Sequence, residues 1–68
     1  MDKKLYRKKM KENGDTNISV AAFLGISPQR NSAKANGTHG AKYNCSEISK
    51  LKERWKLTPN EIDLIFFN

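Results

Sequence analysis

Residues 16–37 read TNISVAAFLGISPQRNSAKANG, and the punctuation inside this stretch separates two short helices. Asp15 and Thr16 carry side-chain oxygens that can accept from the free amides of a helix start. Ile18, Val20, Ala21 and Leu24 then recur at helical spacing, with Phe23 adjoining them, which predicts a helix over 16–24. Gly25 ends it, because a helix commonly closes on a residue of positive φ that glycine adopts without penalty. Ser27-Pro28 places an N-cap before a proline at the first helical position, so a second helix is expected over 28–35 and is closed by Asn36-Gly37. Ala21 is small where the two helices should cross, and Ile26 plugs the corner between them. A pair joined so tightly crosses steeply and leaves its second helix projecting.

The same signals divide the flanking sequence. Residues 3–12 are good helix formers stopped by Asn13-Gly14, with Leu5, Tyr6 and Met10 on one side and lysines and arginine on the rest. Residues 37–43, GTHGAKY, form a loop. Asn44 and Glu47 make a capping box ahead of Ile48, Leu51 and Trp55, which gives a helix over 45–55. Thr58-Pro59-Asn60-Glu61 is a second box with proline at the first position, and it predicts a helix over 59–67 with Ile62, Ile65 and Phe66 facing inward. No stretch reads as a strand. The expected fold is all-α, a compact five-helix bundle in a single domain spanning 1–68.

Composition narrows the function. Sixty-eight residues bury only ~60% of the surface of the unfolded chain, which leaves no room for a deep catalytic pocket. The net charge is +6, and six of the basic residues fall within the first twelve positions (Lys3, Lys4, Arg7, Lys8, Lys9, Lys11). Such a balance points to a polyanionic or acidic partner. Cys45 is the one cysteine and His39 the one histidine, so neither an internal disulfide nor a zinc site can be built. His39 reads as a loop residue and Cys45 as a partly buried small side chain. The acidic residues Asp15, Glu47, Glu53, Glu61 and Asp63 read as caps or surface charges. No nucleophile–base pair, phosphate-binding loop or paired carboxylates occur, so a non-enzyme without cofactor is expected. The charged N-terminus is no secretory signal, no apolar run reaches the ~20 residues of a membrane span, and a reducing intracellular setting is expected.

Thr16, Val20-Ala21, Leu24-Gly25-Ile26-Ser27 and Asn36-Gly37 stand at a spacing that resembles the Cro-like, XRE-type helix-turn-helix proteins of phages and prophages. The likeness extends through Lys52-Glu53-Arg54-Trp55 and Leu57-Thr58-Pro59 to Ile65-Phe66-Phe67, so it covers roughly residues 3–67. It implies a lambda-repressor-like fold and a sequence-specific transcriptional repressor that acts on double-stranded operator DNA in the cytoplasm of a bacterial host. It further implies that Pro28, Gln29, Ser32 and Ala33 face bases in the major groove. Gln29 would pair with adenine and Ala33 would meet a thymine methyl. Asn17, Arg30, Lys34, Asn36, Thr38 and Lys42 would touch phosphates, with a guanine edge as the alternative for Arg30 and Lys34. Leu64 and Phe67 lie off the inner stripe of the last helix and are candidate contacts of a homodimer.

Two positions depart from the pattern. Asn31 stands where the family carries a bulky apolar residue that pins the second helix to the core, and Ala35 is smaller than the usual leucine. Three readings compete for Asn31. It turns outward and reads a base, or the helix stays loose until a partner orders it, or the scaffold now binds a host or phage protein instead of an operator. The last reading makes the chain a protein-directed phage inhibitor, an anti-CRISPR or an antirepressor.

Overall fold

Asp2, Thr16, Ser27, Asn44 and Thr58 each turn a side-chain oxygen onto the amide three residues ahead, at 2.8–3.2 Å, and a helix starts behind each of them. The computed structural model describes residues 2–67 and contains α1 (Lys3–Glu12), α2 (Asn17–Leu24), α3 (Pro28–Asn36), α4 (Cys45–Trp55) and α5 (Pro59–Ile62). A short 3₁₀ turn, Thr38–Gly40, lies between α3 and α4, and a π-helical turn, Asp63–Phe67, follows α5. Among the described residues there is no strand. The fold is all-α and compact, as expected.

The helix ends follow from local chemistry. α2 and α3 close on Gly25 (φ 75°) and Gly37 (φ 69°), where an L side chain would be strained. α4 closes on Lys56 at φ 51°, a position a glycine would hold more easily. Thr16 is the N-cap of α2 rather than its first residue, and α3 runs one residue beyond the expected 35.

The core gathers Val20 and Leu24 of α2, Ile48, Leu51 and Trp55 of α4, then Leu57 and Ile65, with Tyr6 of α1 and Tyr43 of the loop. Aromatic rings run through it: Tyr6 meets Trp55 edge-on at 5.4 Å and stacks near Tyr43 at 6.1 Å, and Tyr43 meets Phe66 edge-on at 5.7 Å.

Asp15 ties the distant ends of the chain together. Its buried carboxylate accepts from the Trp55 indole Nε1 at 2.7 Å, from Arg54 Nε and Nη2 at 2.9 and 2.8 Å, and from Ser19 Oγ at 2.9 Å. The Arg54 guanidinium also lies 4.5 Å from the centre of the Phe23 ring. Asp15 therefore joins the α1–α2 turn to the end of α4, a larger role than the cap or surface charge expected of it.

Three further expectations are corrected. The last helix is α-helical only over Pro59–Ile62 and then widens. Leu64, Ile65, Phe66 and Phe67 are four bulky side chains in succession, and the wider π turn spreads them as Ile65 becomes fully buried and Phe66 packs on Tyr43. Ile18 is 69% exposed. At about 100° per residue, Val20, Ala21 and Leu24 define the inner face of α2, and Ile18 falls well to one side of it. Cys45, at the first position of α4, is exposed rather than partly buried.

Candidate functional site

α3 is held by polar contacts on its inner side. Asn31 is fully buried. Its Nδ2 donates to Asn17 Oδ1 at 2.9 Å, and its Oδ1 accepts from the Tyr43 hydroxyl at 2.7 Å. Tyr43 Oη in turn lies 2.9 Å from Tyr6 Oη, and Asn17 Nδ2 donates to the Pro28 carbonyl at 2.9 Å. The chain of bonds runs from α1 through the 37–43 loop to α3 and α2. Burial, together with the neighbouring Tyr6 hydroxyl and the Glu47 charge, pushes the Tyr43 phenol far above the usual tyrosine range, so it stays a protonated donor.

One turn on, Lys34 Nζ lies 2.6 and 2.8 Å from the two carboxylate oxygens of Glu47, and both side chains are largely buried. Burial alone would raise the Glu47 carboxyl. The Lys34 hydrogen bonds, the Asn44 amide, and the charges of Lys34 and Arg30 outweigh it and hold the group below its ordinary value. Glu47 thus caps α4 as expected and also anchors α3. No buried side-chain nitrogen or oxygen among the described residues lacks a partner. Asn31 faces inward with both its amide nitrogen and oxygen hydrogen-bonded, so it reads no base in this arrangement.

The outer side of α3 carries four of the expected contacts. At about 100° per residue, Gln29, Arg30, Ala33 and Asn36 lie opposite Asn31 and Ala35. Pro28, Gln29, Arg30 and Asn36 are exposed, and Ala33 is half-buried. Gln29 and Arg30 make no side-chain hydrogen bond within the described residues. Ser32 is half-buried on the flank toward α1 and accepts from Asn36 Nδ2 at its carbonyl (2.9 Å) and its hydroxyl (3.3 Å). Among the expected phosphate contacts, Arg30, Asn36, Thr38 and Lys42 are exposed. Lys34 is closed by Glu47, and the Asn17 amide is engaged with Asn31 and Pro28. Thr38 stands on the 3₁₀ turn beside exposed His39, which holds a left-handed φ of 53°. Leu64 is half-buried on the π turn, and its carbonyl accepts from the Asp2 amide at 3.3 Å. Phe67 is 65% exposed, at the rim of a groove of about 580 Å³ shared with Lys34, Lys42, Tyr43 and Phe66.

The inward partners of Asn31 could not be found from spacing. Asn17 and Tyr43 stand 14 and 12 residues away in sequence. The one available signal was an amide at a position where the resemblance implies a bulky apolar side chain. Among the described residues, no group of three or more His, Cys, Asp or Glu side chains is placed to hold a metal, and no helix is long and apolar enough to cross a membrane.

Comparison with protein families, with curated proteins and with solved structures finds no match to this chain.

Proposed function

We propose that the protein binds double-stranded DNA sequence-specifically, with α2 and α3 acting as a helix-turn-helix and α3 entering the major groove. The observation that carries this reading is the division of α3 into two sides. The inner side is locked by Asn31 and Lys34, and the outer side presents Gln29 and Arg30 with their donors and acceptors unengaged. A base-reading helix needs that division, because its contacts discriminate only if the helix is held at a fixed angle. The net charge of +6 supplies the sequence-independent attraction to phosphate.

In this reading Gln29 pairs with an adenine edge, Arg30 reaches a guanine edge or a phosphate, and Ala33 lies against a thymine methyl. Pro28 and Ser32 flank the contact, and Asn36, Thr38 and Lys42 meet the backbone. The role is that of a Cro-like repressor. Phe67 and Leu64 are the candidate contacts of a second copy, which would set two α3 helices about one DNA turn apart. Titrating a fluorescent duplex at rising salt tests the reading. Binding that weakens as a steep power of salt supports it, and the absence of duplex binding at low salt overturns it.

One observation favours a second reading, capture of a host or phage protein in the manner of an anti-CRISPR or antirepressor. The outward face of α2 is apolar: Ile18 is 69% and Phe23 38% exposed, with Ala22 exposed between them. Loss of that partner, and not of DNA, on Ile18→Asp would select it.

A further inference from the structure

The basic residues of α1 divide into two sets. Lys4, Lys8 and Lys11 point away from the bundle, at about 100° per residue from the buried Tyr6 side. Lys3 and Arg7, four residues apart and so on one face, line a crevice of about 250 Å³ between α1 and α3. Tyr6, Asn17, Ser32 and Asn36 share its walls, and none of the residues lining it is acidic. Lys3 and Arg7 are exposed and take part in no ion pair among the described residues, whereas Lys9 on the same helix is paired with Glu61. Ser32 Oγ accepts from Asn36 Nδ2, which leaves its own O–H free to donate into the crevice. The residues lining the crevice therefore carry an ammonium, a guanidinium and a hydroxyl, with no carboxylate among them to oppose an anion.

We propose that this crevice holds a backbone phosphate of the nucleic-acid strand that runs beside α3, gripped by Arg7 and Lys3 with the Ser32 hydroxyl. The inference rests on the DNA-binding reading and adds a contact from α1 to it. A phosphodiester is an anion that only accepts hydrogen bonds, which is what this donor set can satisfy, and the guanidinium fork matches two of its oxygens. The crevice adjoins the flank of α3 itself. A strand whose groove takes the outer face of α3 passes next to it, which favours nucleic acid over an acidic polypeptide. Arg7 and Lys3 would then set the register of α3 along the duplex without reading sequence.

The test compares two variants of equal charge, Lys3→Gln/Arg7→Gln and Lys4→Gln/Lys8→Gln, titrated with a fluorescent duplex over a range of salt, with melting curves to confirm that both are folded. The crevice variant is expected to reduce the slope of log affinity against log salt by roughly one to two, since each phosphate neutralised by a basic side chain adds about one to it, and to weaken every duplex alike. The outer variant is expected to change the slope by less than about half as much. Equal losses in the two variants overturn the inference in favour of diffuse attraction. An unchanged slope in the crevice variant, with tight duplex binding by the wild type, overturns it and leaves the DNA reading standing. Absence of duplex binding by the wild type overturns both, as does capture of polyglutamate at least as tight as that of duplex.

Discussion

Tyr43 donates its hydroxyl proton to Asn31 Oδ1 across 2.7 Å, and the direction of that bond is set by a carbonyl on another part of the chain. Pro28 O can only accept, so the Asn17 group facing it at 2.9 Å is the amide nitrogen. Asn17 Oδ1 must then accept from Asn31 Nδ2, Asn31 Oδ1 must accept from Tyr43, and the Tyr43 oxygen must accept from Tyr6. Four side chains from three helices and a loop are ordered as one chain of donors. A buried network of this kind stabilises only when it is fully satisfied, and it specifies one pose for α3.

Asn31→Leu is therefore expected to destabilise the protein, although it restores an apolar anchor. Tyr43 would keep Tyr6 but lose the acceptor of its buried hydroxyl proton, and half-buried Asn17 would lose the donor to its Oδ1, at up to about 1–3 kcal/mol apiece, offset in part by the leucine. A net loss of about 2 kcal/mol lowers Tm by roughly 10 °C in a domain of this size. Tyr43→Phe made together with Asn31→Leu should cost less than the sum of the two single changes, and denaturant titration of the double-mutant cycle measures the difference.

Asp15→Asn should lower stability near neutral pH and flatten its dependence on acid. The Arg54 hydrogen bonds, aided by Trp55 and Ser19 against the opposing effect of burial, hold the Asp15 carboxyl well below the usual carboxylate range. A carboxylate depressed in the folded state stabilises above its unfolded value of about 4 and loses that contribution as pH falls further. Wild-type Tm should thus drop steeply below about pH 4, and that of the variant less so. The neutral-pH cost is about 2–4 kcal/mol, toward the low end because the Arg54 side chain is 35% exposed. Thermal melts across the acid range by circular dichroism check both parts.

How much of this was legible in the sequence depended on range. Thr16, Ser27-Pro28, Asn44/Glu47 and Thr58/Glu61 act on amides three residues away, and Gly25 and Gly37 act on their own φ, so the helix boundaries could be read locally. Asp15 reaches Arg54 and Trp55 across 39 and 40 residues, and Lys34 reaches Glu47 across 13, so those roles emerge only when the chain closes. Asn31 was visible as a misfit because the resemblance to Cro-like proteins implies a bulky apolar residue at its position. That the misfit is resolved by Asn17 and Tyr43 depends on which elements meet in space. The π turn was hidden for a related reason, since widening answers to packing on α1 and Tyr43 rather than to any capping signal.

Lys34→Met should destabilise α3 by about 2–4 kcal/mol, because Glu47 would keep a buried charge without its cation. Lys34→Met/Glu47→Gln should recover much of that loss, since glutamine can still close the cap on the Asn44 amide. If the Lys34 charge is held by Glu47 and not by phosphate, the double variant also keeps the wild-type salt slope for duplex binding. Chemical denaturation and anisotropy titration separate the two effects.

Lys56→Gly should stabilise the protein. Lys56 holds φ 51° at the end of α4, and relieving that strain is worth about 0.5–1 kcal/mol after the entropy a glycine adds to the unfolded chain. A Tm increase of a few degrees in a calorimetric scan is expected, with no change in duplex affinity.

Selection from a pool of randomised duplexes, followed by titration of the enriched sequence against wild type and Gln29→Ala, tests most directly whether the outer face of α3 reads DNA. A base-reading α3 yields a short enriched motif and a loss of about 5- to 150-fold in its affinity on Gln29→Ala, corresponding to roughly 1–3 kcal/mol, with non-specific binding unchanged. A pool that emerges without any enriched motif, or an enriched sequence bound equally well by Gln29→Ala and Arg30→Ala, would contradict it.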